Sequence, residues 1–185
     1  MSLANWDIKQ AADSGEWTLF LDRDGVINRR LVDDYVKSWD EFDFLPGVLE
    51  AIAIFSQKFK HLFIITNQQG IGKGLMTEAD LQEIHQKMLA KIKTAGGNID
   101  AIYFCPSLAK NNSPRRKPNP GMAFQAKEEF TDVNLTQSIM AGDSVSDIEF
   151  GKNAGMHTVF IGEKPNNITT DGAYKSLIDL AQAIS

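Results

Sequence analysis

Cysteine is almost missing from this chain: Cys105 stands alone among 185 residues. An internal disulfide is therefore excluded, and a lone thiol fits a reducing compartment. No apolar run approaches the ~20 residues of a membrane span, and the N-terminus lacks the charged-then-apolar pattern of a secretory signal. Both absences predict a cytoplasmic protein with no membrane partner. Basic residues are not in excess either. The net charge is −5, which speaks against a nucleic-acid surface. There is no internal repeat and no low-complexity tract. What remains is an ordinary globular composition, 43% apolar and 23% charged, in a chain long enough for one domain with a substantial core. Residues 17–185 are expected to form that domain. Residues 1–16 read as an N-terminal extension, with Met1–Leu3 a cloning remnant. A small molecule is the expected partner, bound by a monomer or a small oligomer.

Short apolar, β-branched-rich runs recur at 17–21, 61–66, 99–104, 138–142 and 157–162, each too short for a helix. Helical patterns lie between most of them, at 47–59, 77–94, 122–130 and 145–154, with a last one at 174–184. The 77–94 segment opens on Thr-Glu-Ala-Asp, a capping-box-like start, then sets Leu81, Ile84, Met88 and Ile92 on one face. Strands alternating with helices predict a three-layer, doubly wound (Rossmann-like) α/β fold with a parallel sheet. Near-continuous apolar strands agree with burial on both faces. In such folds ligands bind beyond the carboxyl ends of the strands. Two long connections, 23–46 and 105–120, hold no convincing periodic element, and connections of that length are usually functional or disordered.

Asp22 and Asp24 follow the first apolar run, and Asp143 and Asp147 follow the fourth. Burying even one ionised carboxylate costs several kcal/mol unless a cation or hydrogen bonds compensate it. One such pair alone reads equally well as turn residues or helix caps. Two pairs at two strand ends point to a cation site, and hard carboxylate oxygens suit Mg²⁺, which usually takes one or two carboxylates plus a substrate phosphate. The convergence requires the first and fourth strands to be neighbours. Thr66, Asn67 and Gln68 open the Gly-rich stretch TNQQGIGKG after the second strand, whose hydroxyl, amide and backbone donors can cradle a phosphate. Lys73 lies within it. Arg115, Arg116 and Lys117 precede a helix start, where Pro118 and Pro120 stiffen the approach and aim the cations at a ligand.

In this order the pieces resemble the haloacid dehalogenase (HAD) superfamily of phosphotransferases, with DRDG at 22–25, Thr66, Lys117 and GDSVSD at 142–147. More narrowly, FLDRDGVIN, FLPGV, TNQQGIGKG and RKPNPGM are similar to the heptose-bisphosphate and histidinol-phosphate phosphatases, which have no large cap domain. The resemblance implies a Mg²⁺-dependent phosphatase acting on a small phosphorylated sugar, a D-glycero-D-manno-heptose 1,7-bisphosphate in the first place. It implies Asp22 as nucleophile and Asp24 as general acid and base. The metal would be held by Asp22, Asp24 (through its carbonyl) and Asp143. Thr66, Asn67, Gln68, Lys73, Arg116 and Lys117 would contact phosphate or substrate, with Asp147 behind them orienting water or Lys117. Crowding by Asp22 and Asp143 would raise Asp24, and the metal would lower it; the sequence leaves that balance open.

One feature departs from the pattern. Many members hold a zinc with a Cys-x-His and a Cys-x-Cys pair, where this chain reads Cys105-Pro106-Ser107 and Ser113-Pro114-Arg115. One thiol cannot supply about four N or S ligands, so no zinc is expected and Cys105 reads as a partly buried small residue. Histidinol phosphate and other small phosphomonoesters stay open as substrates. A non-hydrolytic phosphoacceptor (receiver-type) module would share the aspartate, threonine and lysine, but has no use for Asp24 or for the Gly-rich loop. A phosphate-binding protein without turnover is a further alternative.

Overall fold

The β-branched and aromatic runs become strands close to where the sequence places them. The computed structural model describes residues 6–185, so the reading of Met1–Leu3 lies outside the described residues. Six strands, β1 (Thr18–Leu21), β2 (His61–Asn67), β3 (Ala101–Cys105), β4 (Ser138–Gly142), β5 (His157–Ile161) and β6 (Gly172–Tyr174), form one sheet in the order β3-β2-β1-β4-β5-β6. Every neighbouring pair is parallel. The chain thus winds outward from β1 to one edge, then returns to β4 and winds toward the other. That reversal leaves a crevice at the carboxyl ends of β1 and β4, where open α/β sheets bind ligands.

The helices are α1 (Ile8–Asp13), α2 (Val48–Lys58), α3 (Gln69–Gly72), α4 (Glu78–Thr94), α5 (Gly121–Glu129), α6 (Val145–Asn153) and α7 (Leu177–Ile184). Successive strand residues point to opposite faces. Leu19, Leu21, Leu62 and Ile64 enter a core with residues of α2, α4 and α7, while Phe20, Phe63 and Ile65 enter a second core with α5 and α6. These are the three layers. α4 starts on its capping box, with Thr77 Oγ1 accepting from Asp80 N and Thr77 N donating to Asp80 Oδ2.

Several details differ from the sequence reading. α1 lies within the segment taken as an extension, buries Ile8, Ala11 and Ala12, and packs on α7, where Lys9 Nζ donates to Ser185 O at 2.7 Å. Six residues are too few for a helical period to show, and the three-residue β6 escapes the strand pattern for the same reason. Cys105 is fully buried rather than partly so, because it ends β3 against the α5 layer. The 105–117 segment is tied down by protein groups: Arg116 Nη1 donates to Ser107 O, and Arg116 N to Ser113 O. Among the described residues no helix is long and apolar enough to cross a membrane.

Candidate active site

β1 and β4 are neighbours, so the two acidic pairs meet. Asp22 is the first residue beyond β1, and its N–H donates to Ala141 O of β4 at 3.0 Å. Its Oδ1 accepts from Arg23 N and lies 2.7 Å from Lys117 Nζ. The same ammonium lies 2.6 Å from Asp147 Oδ1 and donates to Ile65 O at 3.0 Å. Asp147 comes from the first turn of α6, and its other oxygen accepts from Ser144 N and Ser144 Oγ. Asp147 is therefore both a member of the capping box of α6, whose N-cap is Ser144, and a partner of Lys117. A Cβ on Gly142 would fall 2.2 Å from Asp147 Cβ, so only glycine lets the end of β4 pass that side chain.

Asp22, Lys117 and Asp147 are all buried, and their ionisation reflects it. Burial pulls Lys117 down, but Asp147 and Asp22 outweigh it and hold the ammonium above its usual range. Asp22 is pushed up to about 8, first by burial and then by the Asp147 charge, with Lys117 opposing. Asp143 is pushed up to about 6 by burial, with Arg30 opposing and Asp147 adding repulsion. Burial and the Asp147 charge thus outweigh Lys117 and Arg30 at these two carboxyls, and a further cation would lower them.

Asp24 is different. Its Oδ1 accepts from Arg23 Nη2 at 2.9 Å and Asn28 Nδ2 at 3.0 Å, and its Oδ2 accepts from Gln68 Nε2 at 2.9 Å and Thr66 Oγ1 at 3.4 Å. Burial raises its pKa, but the Arg23 charge and the hydrogen bonds from Arg23, Asn28 and Gln68 prevail and hold it below the ordinary carboxylate value. In the protein alone the main charge acting on Asp24 is therefore that of Arg23, which the sequence reading did not count, rather than those of Asp22 and Asp143.

The residues expected to hold phosphate divide their work. Thr66 and Gln68 are spent on Asp24 and on each other, Gln68 Nε2 donating to Thr66 Oγ1 at 2.8 Å. Asn67 clamps the main chain of Lys117, its Oδ1 accepting from Lys117 N and its Nδ2 donating to Lys117 O. All three still line a cavity of about 510 Å³, together with Asp22, Asp24, Lys117, Lys73 and Arg116. In its lining Lys73 Nζ lies 5.1 Å from the centre of the Tyr35 ring, whose hydroxyl accepts from Gln69 Nε2. The sequence reading missed Arg23, Asn28, Arg30, Tyr35 and His85. Arg23 sits inside the DRDG motif, and His85 is a polar residue on the apolar stripe of α4. Those are the two signals that were available.

The donor set fits a hard divalent ion. Asp22, Asp143 and Asp147 each offer a carboxylate oxygen within 4.8 Å of the others, and raised carboxyls beside one another are what such an ion relieves. With Asp147 committed to Lys117 and Ser144, the available oxygens are those of Asp22, Asp143 and the Asp24 carbonyl. Gly25 makes room for this: at φ 93°, its Cβ would fall 2.0 Å from Asp143 Oδ2.

A parallel sheet in this order with an acidic cluster at the β1–β4 switch defines the class of HAD-like hydrolases, and the family model described as HAD-hydrolase-like matches residues 114–176. The D-glycero-alpha-D-manno-heptose-1,7-bisphosphate 7-phosphatase of Mycobacterium bovis is 36% identical over 174 residues, covering 91% of this chain and 92% of that protein. The corresponding beta-anomer phosphatase of Rhodopseudomonas palustris is 38% identical over 144 residues, covering 74% and 78%. The crystal structure of D,D-heptose 1,7-bisphosphate phosphatase from B. bronchiseptica, complexed with magnesium and phosphate, superposes with a TM-score of 0.80 at 33% identity, covering 90% of this chain and 96% of that one. The chain belongs to the heptose-1,7-bisphosphate 7-phosphatase family.

Proposed function

We propose that this protein is a Mg²⁺-dependent cytoplasmic phosphatase that removes one phosphate from a D-glycero-D-manno-heptose 1,7-bisphosphate through an aspartyl-phosphate. The observation that carries the reading is the buried Asp22–Lys117–Asp147 triad, with contacts of 2.7 and 2.6 Å, of which Asp22 and Lys117 line the polar cavity. Asp22 Oδ attacks phosphorus as the bond to the sugar oxygen breaks. Asp24 gives its proton to that oxygen. The carboxyl must be protonated at this point, and the charge of an entering phosphate dianion favours it. Asp24 then takes a proton from the water that attacks phosphorus and frees Asp22, a step for which the anionic form stabilised by Arg23 is already suited.

Lys117 offsets negative charge on the phosphoryl oxygens and keeps the Asp22 carboxylate aimed. Thr66 and Gln68 hold Asp24, and Thr66 faces the cavity. Asp22, the Asp24 carbonyl and Asp143 would hold a Mg²⁺ ion, which supplies when bound further positive charge to this carboxylate cluster and to the phosphate. Electrostatics and positioning are the main source of rate in phosphoryl transfer. Lys73 and Arg116, further cations lining the same cavity, suit a second phosphate, which favours a bisphosphate over histidinol phosphate. The test is phosphate release from heptose 1,7-bisphosphate, in both anomeric forms, and from histidinol phosphate, with and without Mg²⁺. Turnover of the bisphosphate that stops on chelation and returns with Mg²⁺ is expected. A stable acyl phosphate without release would indicate a phosphoacceptor module.

A further inference from the structure

Arg23 heads the fully buried side chains by volume. A guanidinium without solvent must find partners, since an uncompensated buried charge costs several kcal/mol. One Nη of Arg23 meets Asp24 Oδ1 at 2.9 Å, and the other meets His85 Nε2 at 3.1 Å. Its Nε has no partner among the described residues. Among the described residues the guanidinium is therefore oriented by two side-chain contacts, one to a proposed proton-transfer residue and one to a histidine on α4. His85 is buried and absent from the cavity lining. Since Arg23 can only donate, Nε2 of His85 is the acceptor, and the ring proton sits on Nδ1. Burial and the Arg23 charge push His85 down to about 3, in keeping with a neutral ring.

We propose that His85 is a positioning residue for the reaction. It holds the far end of Arg23 so that the near end fixes the Asp24 carboxyl toward the leaving oxygen. The residue type suits the task. A carboxylate at position 85 would compete with Asp24 for the guanidinium, and an aliphatic chain would leave an N–H of a buried cation unmet. His85 supplies a neutral acceptor that can lie on an apolar helix face.

The inference rests on the acid role of Asp24 proposed above, and its test keeps the two apart. kcat/KM reports steps up to departure of the leaving group. It is to be measured for heptose 1,7-bisphosphate, whose alkoxide needs a proton, and for 4-nitrophenyl phosphate, whose leaving group does not. General acid catalysis contributes about 10²–10⁴-fold, so a misplaced but present Asp24 should cost part of that. His85→Leu is expected to lower kcat/KM for the sugar phosphate about 10–100-fold and for the aryl phosphate less than about threefold. His85→Gln, whose amide oxygen reaches the position of Nε2, should recover most of the loss. Arg23→Lys keeps the charge but cannot span both partners, and should show the same selective loss if His85→Leu does not fold. Proportional losses on both substrates, or no loss, in folded variants overturn the proposal. Asp24→Asn measured alongside separates the two readings. If it too is unselective, the acid role itself fails and this inference with it; if it alone is selective, only the positioning role fails.

Discussion

Arg30 lies across Asp143, its Nη2 donating to Asp143 Oδ1 at 2.9 Å. The same nitrogen donates to the Asp24 carbonyl at 3.1 Å and stands 3.8 Å from Asp22 Oδ2. These are the three groups proposed above to hold Mg²⁺. Arg30 is thus an internal counter-ion, and its side chain is 48% exposed, so it is free to leave. Partly exposed ion pairs are worth roughly 0.2–1 kcal/mol each. Arg30→Gln should therefore bind Mg²⁺ about three- to tenfold more tightly by calorimetry in metal-free buffer. Unchanged or weaker affinity would show that the guanidinium and the metal do not compete.

Asp22→Asn should abolish turnover. The amide has nearly the shape of the carboxylate but is a poor nucleophile, and loss of a covalent nucleophile costs about 10³-fold or more. The fold should persist, because the change also relieves repulsion with Asp147 and Asp143. Appreciable phosphate release from the folded variant would remove Asp22 from its role.

Lys117→Met should be costly to stability as well as activity. It leaves Asp22 and Asp147 buried without their shared cation, and breaking a buried pair in this way costs about 3–5 kcal/mol. Urea unfolding is the measurement. A loss under about 1 kcal/mol would mean that water or a neighbouring group takes over from the ammonium.

Arg116→Ala tests the second phosphate. Arg116 Nη1 is held by Ser107 O, which leaves the rest of the guanidinium for the cavity it lines. A charge-assisted contact to a distant phosphate is worth about 1.5–3 kcal/mol. kcat/KM for the heptose bisphosphate should fall roughly 10–100-fold, with little change for a small aryl phosphate. Equal effects on both would make Arg116 a support for the 105–117 segment only.

His85 also predicts a pH dependence of stability. Its pKa is lowered in the fold to about 3, against about 6.5 in an unfolded chain. Between these values the unfolded state takes up a proton that the folded state refuses, so the contribution is complete above pH 6.5 and is lost as pH falls toward 3. Wild type should lose up to ~1.4 kcal/mol per pH unit more than His85→Gln across this window. Parallel stability curves would show that the ring is protonated without penalty.

Much of this was legible in the chain because it is local. Strand runs, the α4 cap and the spacing of Asp22 from Asp24 depend on neighbours in sequence, and their periods of 2 and 3.6 survive in any fold that buries them. Thr66, Lys117, Asp143 and Asp147 could be picked out because each stands beside a strand end or a helix start. What the sequence by itself determined was the parallel architecture and the list of groups proposed above for phosphoryl chemistry.

Their partners were decided only by the tertiary structure. Asn67 grips Lys117 from 50 residues away, and Arg23 reaches His85 from 62 away. No periodicity encodes such pairs. The ionisation of the carboxylates is likewise a property of the assembled site. Asp22 and Asp24 are two residues apart and chemically identical, yet one is pushed up by burial and Asp147 while the other is held down by Arg23. Burial, the charge of Asp147 brought in beside β4, and the contact of the neighbouring Arg23 with Asp24 set that difference, and none of them can be read from the spacing of the two aspartates.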